Sequence, residues 1–246
     1  EYKEVVSKEF KINAKPRITD EAMYGTDRDI YGQLTRLLGR EFSIKLAAQV
    51  LYGNGTGKAA RGILSSNRVD ITDLTGESWK PTLAADPANA RDADFFPVKA
   101  TGVSGALGAD AEATVDFVID VANELPTEYL GRAKWYMNRK TKGLFEKVRN
   151  TDGDPIFRMN YRNGTLELNG FPVVIDDTLP DVVAESTFAI FGDLGSAFAI
   201  SKGDIDKMLI DPYTVDGCTV IKTDKEYFEI VQASDAILVL AATANA

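Results

Sequence analysis

The feature that most constrains this chain is one long amphipathic stretch near its start. From Asp27 to Leu51, apolar residues recur at Ile30, Leu34, Leu38, Phe42, Leu46 and Val50, with a second row at Tyr31, Leu37, Ala47 and Leu51. The i, i+3, i+4 spacing predicts one helix over 27–51. It would run about 38 Å, longer than most helices of globular proteins. Gly53-Asn54-Gly55-Thr56-Gly57 then stops it.

Around that helix the pattern changes. Phe10, Ile12 and Ala14 alternate with Lys11 and Asn13, which predicts a half-exposed strand that Pro16 ends or marks as an edge. Thr19 and Asp20 would cap a short helical turn through Met23. Residues 75–110, rich in Ala, Asp, Pro and Gly, read as a long loop with a short strand at Phe95–Lys99. A second helix is predicted over Ala111–Glu124, with Val115, Val118, Ile119 and Ala122 inward, stopped by Pro126. Ala133–Met137 reads as a buried strand. Thr141–Arg149 reads as a short helix with Leu144, Phe145 and Val148 inward.

Beyond residue 160, strands dominate. They are expected at Thr165–Leu168, Pro172–Ile175, Phe188–Phe191, Phe198–Ser201, Asp206–Ile210, Thr219–Thr223, Tyr227–Gln232 and Ala236–Ala241. Asn169-Gly170, Gly192-Asp193 and Asp216-Gly217 supply turns between them. Helices early and strands late, without βαβ alternation, predict an α+β fold.

Composition removes several function classes. The chain has no histidine and one cysteine, Cys218. Ser-His-Asp and Cys-His catalysis, an intrachain disulfide and a cysteine-based zinc site are all excluded. A net charge of −9 argues against specific nucleic-acid binding, which needs a basic excess. No apolar run approaches the length needed to cross a bilayer. The start, Glu1-Tyr2-Lys3-Glu4, has neither an initiator Met nor a signal pattern and reads as a trimmed chain.

Several motifs invite a chemical reading and fail it. Gly53 to Lys58 suggests a phosphate loop, but Tyr52 stands where the first Gly should be, Ala59 follows the Lys, and the loop trails a helix. Thr101 to Gly108, with Tyr136 and Lys140 at a Tyr-x-x-x-Lys spacing, suggests a short-chain dehydrogenase; the glycine turn lies too far along the chain and too close to Tyr136. Asp152-Gly153-Asp154 lacks the closing Glu of a calcium loop. Asp176 and Asp177 are adjacent, so on a strand or turn they point apart. Cys218 reads as a small residue at a strand start, Trp79 and Trp135 as packing anchors. No catalytic, cofactor-binding or metal-binding set remains.

The order of segments then becomes informative. After the long helix and its glycine turn come Arg61-Gly62-Ile63-Leu64, Trp135-Tyr136-Met137-Asn138-Arg139, Leu144-Phe145, Asp152-Gly153-Asp154-Pro155, Leu168-Asn169-Gly170-Phe171-Pro172-Val173-Val174 and Phe191-Gly192-Asp193. Across about residues 10–240 this series resembles the major capsid proteins of tailed phages, the Hong Kong 97-type fold family. The resemblance implies a two-lobed wedge. Its peripheral domain would take residues 1–78 and 204–232, its axial domain 79–203 and the C-terminal strand in 233–246. It implies a non-enzymatic coat protein without cofactor that assembles through hexamers and pentamers into an icosahedral head around double-stranded DNA. The expected partners are copies of itself, with scaffold, protease, portal or decoration proteins, in a virion assembled in the bacterial cytoplasm. The N-terminal arm and extended hairpin usual in the family precede the first strand, and the sequence starts after them. Some relatives crosslink subunits through a Lys–Asn bond; that Asn falls near Cys218 and the Lys in the missing hairpin, so no crosslinking is carried over. The alternatives are an encapsulin-like compartment and, in a different class, a nucleotide-dependent enzyme.

Overall fold

The computed structural model describes residues 8–19, 21, 30–54, 56, 59–60, 62–64, 96–100, 111–149, 154, 157, 159–160, 165–183 and 187–242. The turn expected after Thr19, most of the 75–110 loop, Trp79, the Thr101–Gly108 segment and Asp152-Gly153 lie outside them. The chain divides into two compact units, residues 1–62 with 200–230 and residues 63–199 with 231–246.

The first unit is a helix on a sheet. Strand β1, Lys8–Ala14, and β2, Arg17–Thr19, both lie antiparallel to the long strand β10, Cys218–Val231. They follow one another along the same partner. Pro16 interrupts them because it has no N–H for the ladder, yet its carbonyl still accepts from Ile221 N at 3.1 Å. On the other side of β10 lies β9, Phe198–Val215. Two expected strands on each side of the Asp216-Gly217 turn are thus one continuous strand each. Helix α1 spans Ile30–Tyr52. Phe42, Phe10, Ile12 and Ala60 are buried together, with Leu38, Leu46 and Tyr227 against them. Phe10 stacks on Tyr227 at 5.5 Å and the Lys225 ammonium sits 5.0 Å over the Phe42 ring. Leu37, expected in the second apolar row, is instead 57% exposed.

The second unit is a seven-stranded mixed sheet with helices. Its order is β3-β11-β8-β4-β7-β6-β5, from Phe96–Ala100 (β3), Lys134–Met137 (β4), Met159–Asn160 (β5), Thr165–Leu168 (β6), Phe171–Ile175 (β7), Thr187–Gly192 (β8) and Ile237–Ala242 (β11). Every residue of β8 and β11 is buried, which explains the unbroken apolar runs Phe188–Phe191 and Ile237–Ala242 within them. Helix α2, Ala111–Glu124, buries Phe117, Val118, Val121 and Ala122 in the same cluster as Trp135, Met137, Phe188 and Phe191. Ile119, expected inward, is 41% exposed, and Val115 is half-buried. Burying one such large side chain stabilises by about 1.5–3 kcal/mol. Pro126 caps the single turn α3, Thr127–Leu130. Helix α4, Arg139–Glu146, starts two residues earlier than expected because the Asn138 side chain accepts from Thr141 N at 2.7 Å. Phe145 of α4 joins the core cluster of α2. A short helix α5, Leu194–Ala197, completes the unit.

Candidate functional site

The glycine loop after α1 is closed on itself. Gly53 N donates to Gln49 O at 2.9 Å and Gly62 N to Gly53 O at 2.8 Å. A Cβ on Gly53 would lie 2.1 Å from Ala60 O, and one on Gly62 2.4 Å from Gly53 N. Two backbone segments cross there, which only glycine allows. The loop follows a helix C-terminus, whose carbonyls disfavour an anion.

Tyr136 and Lys140 do not form a proton-transfer pair. Tyr136 lies in the middle of the sheet, opposite Ile190 and Val174, where burial, then the Asp193 charge, push its phenol up. Lys140 is exposed on α4 and held 2.6 Å from Asp181, whose hydrogen bond raises its ammonium further. A Tyr acid–base needs the opposite shift. Asp176 takes Thr178 N and Oγ1 at 2.9 and 2.6 Å, closing a turn after β7. Trp135 is fully buried, donates to Leu168 O at 3.2 Å and packs 4.3 Å from Phe191. Cys218 is a half-buried free thiol opening β10. Among the described residues no group of acidic or thiol side chains could hold a metal ion.

What the motifs build is turns. Asn169 and Gly170 have φ of 49° and 82°, the two-residue hairpin turn between β6 and β7. Gly192 has φ 136°, and a Cβ there would lie 2.3 Å from Ala236 O. Asp193 next to it caps α5 through Gly195 N, accepts from Ser196 Oγ at 2.7 Å and pairs with Arg132 at 3.2 Å. The Ser196 hydroxyl, then Arg132 and the backbone donors, hold its carboxyl below the usual range against the effect of burial.

The open surface is the hairpin of β9 and β10. Met208, Leu209 and Ile210 are 44%, 56% and 46% exposed, and Tyr213 is 91% exposed. Asp211 sets that shape. It takes Tyr213 N and Thr214 N, each at 3.1 Å, the Thr214 hydroxyl, and Lys222 Nζ at 3.0 Å. The Thr214 hydroxyl, then Lys222, hold its carboxyl well below the usual range. Apolar side chains on both faces of this strand are thus exposed next to an ordered turn.

Compared with known families, residues 3–241 match the phage capsid family. The chain belongs to that family. It is a structural protein of the phage capsid, as the order of motifs implies. None of the curated proteins matches the sequence. Among solved structures, the capsid of an empty GTA particle computed with C5 symmetry is similar at TM-score 0.73 and 24% identity, over 96% of this chain and 74% of that one. The capsid of the native GTA particle follows at TM-score 0.67 and 22% identity, covering 96% and 73%. A structure from Gordonia phage Cozz reaches 0.57 and 12%, covering 97% and 71%. These likenesses establish the shared α+β fold, and the family match favours neither the encapsulin-like nor the enzyme reading. The exposure of this capsid protein's hairpin does not show in its sequence, because Met208-Leu209-Ile210 has the composition of a buried strand. The one local sign was Pro212, which suits an edge strand.

Proposed function

We propose that this capsid protein assembles with copies of itself, through pentamers and hexamers, into an icosahedral shell around double-stranded DNA, without catalysing a reaction. The β9–β10 hairpin carries the reading. It presents Met208, Leu209, Ile210 and Tyr213 to solvent, a patch that a protein acting alone has no reason to hold in order. The C5 symmetry of the GTA particle is support by analogy. The net charge of −9 suits a shell that encloses DNA without gripping it. The two compact units support a peripheral domain of 1–78 and 204–232 and an axial domain of 79–203 and 233–246. Scaffold, protease, portal or decoration proteins would be its further partners, with assembly in the bacterial cytoplasm.

Electron microscopy and sedimentation of the protein test the proposal. Rings, tubes or closed shells are expected; a persistent monomer under assembly conditions overturns it. Leu209→Asp and Tyr213→Ser should each change the folding free energy by about 0.5 kcal/mol or less, since both sites are exposed, and together abolish the particles.

A further inference from the structure

A second surface lies on the other unit and is built from opposite charges. Residues 101–131 carry six acidic and no basic side chains; residues 132–149 carry seven basic and one acidic. The structure turns part of each set outward. On α2, Asp116 and Asp120 are exposed beside Ile119, and Glu124 is half-exposed. On α4, Arg139 and Lys140 are exposed, as is Lys147 at its C-terminal end. The spacing 139, 140, 143, 147 places Gly143 on that same outer face, and a Cβ on it would meet nothing within 4 Å.

Three details of these helices work against the isolated fold. Glu124 sits in the last turn of α2, which holds no basic residue, at the negative end of the helix dipole. Arg139 and Lys140 sit in the first turn of α4, which holds no acidic residue, at the positive end. Gly143 lies inside α4, where glycine is unfavourable and no described residue crowds it. No ion pair joins Asp116, Asp120 or Glu124 to another described residue. Next to the basic face the chain adds apolar surface. β7 runs parallel to β4 with Ile175 opposite Met137, just before α4, and Asn138 and Lys140 both reach Asp181, two residues from Val183. Ile175 and Val183 are exposed.

We infer that the acidic outer face of α2 in one copy docks on the basic outer face of α4 in the next, with Ile119 facing the bare backbone at Gly143. The occupant is a second copy because the two faces complement each other in charge and the protein belongs to a capsid family. The contact joins two different faces, so it is head-to-tail, the kind that runs around the rotation axis of a closed ring. This rests on the self-assembly reading above.

Charge reversal tests it. One variant carries Asp116→Lys, Asp120→Lys and Glu124→Lys; another carries Arg139→Glu and Lys147→Glu; a third carries all five changes. Glu124→Lys and Arg139→Glu favour their own helix dipoles, so the folded subunit is retained, which circular dichroism checks. Each single-face variant should lose about tenfold or more in particle yield, since like charges then face each other. The five-change variant should regain particles, because both faces have exchanged sign. Single-face variants that assemble like wild type overturn the inference and leave the shell reading intact. So does loss in the single-face variants with no recovery in the five-change variant, which would mean that the two faces do not meet. Failure of wild type to assemble overturns the shell reading as well.

Discussion

Single residues decide where this chain turns, and most motifs of the family resemblance are such residues. Gly53 is the tightest. With Ala60 O 2.1 Å from any added Cβ, Gly53→Ala must push two backbone segments apart. We expect it to cost about 1–3 kcal/mol, as overpacking does, visible as a lower urea midpoint at unchanged slope. Asp193 joins capping to charge. Its carboxyl is held below the ordinary value near 4, so its contribution is full above that pH. The contribution fades as pH falls through the depressed folded value, when protonation ends the pairing with Arg132. Asp193→Ala should cost about 1–2 kcal/mol at neutral pH through the lost cap, and its stability should fall less steeply below pH 4 than that of wild type. Equal slopes on the acid side in urea titrations would show that Asp193 is not the group concerned.

At the scale of elements, the boundaries were more legible than the faces. Helix α2 matches its expected limits because Pro126 closes it. Of the residues expected inward, Val118 and Ala122 are buried but Ile119 is exposed, because the apolar arc is wider than the face that the core covers. The acids Asp116, Asp120 and Glu124 were the better guide, since they mark the side turned to water, and Ile119 lies with them. The four strands expected between 198 and 232 are two, β9 and β10, because Gly203 and the charged Asp224-Lys225-Glu226, which lie between the apolar runs, continue the ladder. Asp224 is exposed and the buried Glu226 is paired with Lys11, so these charges interrupt nothing. Gly203 is instead a packing point: a Cβ there would lie 2.8 Å from Glu226 Cγ, whose carboxylate meets Lys11 at 3.1 Å. Gly203→Val should displace Glu226, cost about 1–3 kcal/mol and break the Lys11 pair. A double-mutant cycle between Lys11→Met and Glu226→Gln then gives a coupling near zero in the Gly203→Val background and a measurable one in wild type. Apart from Pro212, nothing in the sequence marks the exposed hairpin patch, because hydrophobicity alone cannot tell a strand buried in its own core from one kept for a partner.

At the scale of the whole molecule, opposite faces on one chain make the parity of a ring measurable. The α2-reversed variant has two basic faces, and the α4-reversed variant has two acidic ones. Neither can follow itself in a head-to-tail ring, but each can follow the other. An equal mixture therefore assembles by strict alternation. Alternation closes a six-membered ring with every junction satisfied. A five-membered ring must place two like subunits side by side and bear one repulsive contact. A shell needs five-membered rings to curve shut, whereas flat sheets and tubes are built from six-membered rings alone. The mixture should thus give sheets or tubes with few closed particles, while the five-change variant gives closed shells. Micrographs that show closed shells from the mixture at wild-type yield would mean that the α2–α4 contact does not run around the five-fold ring.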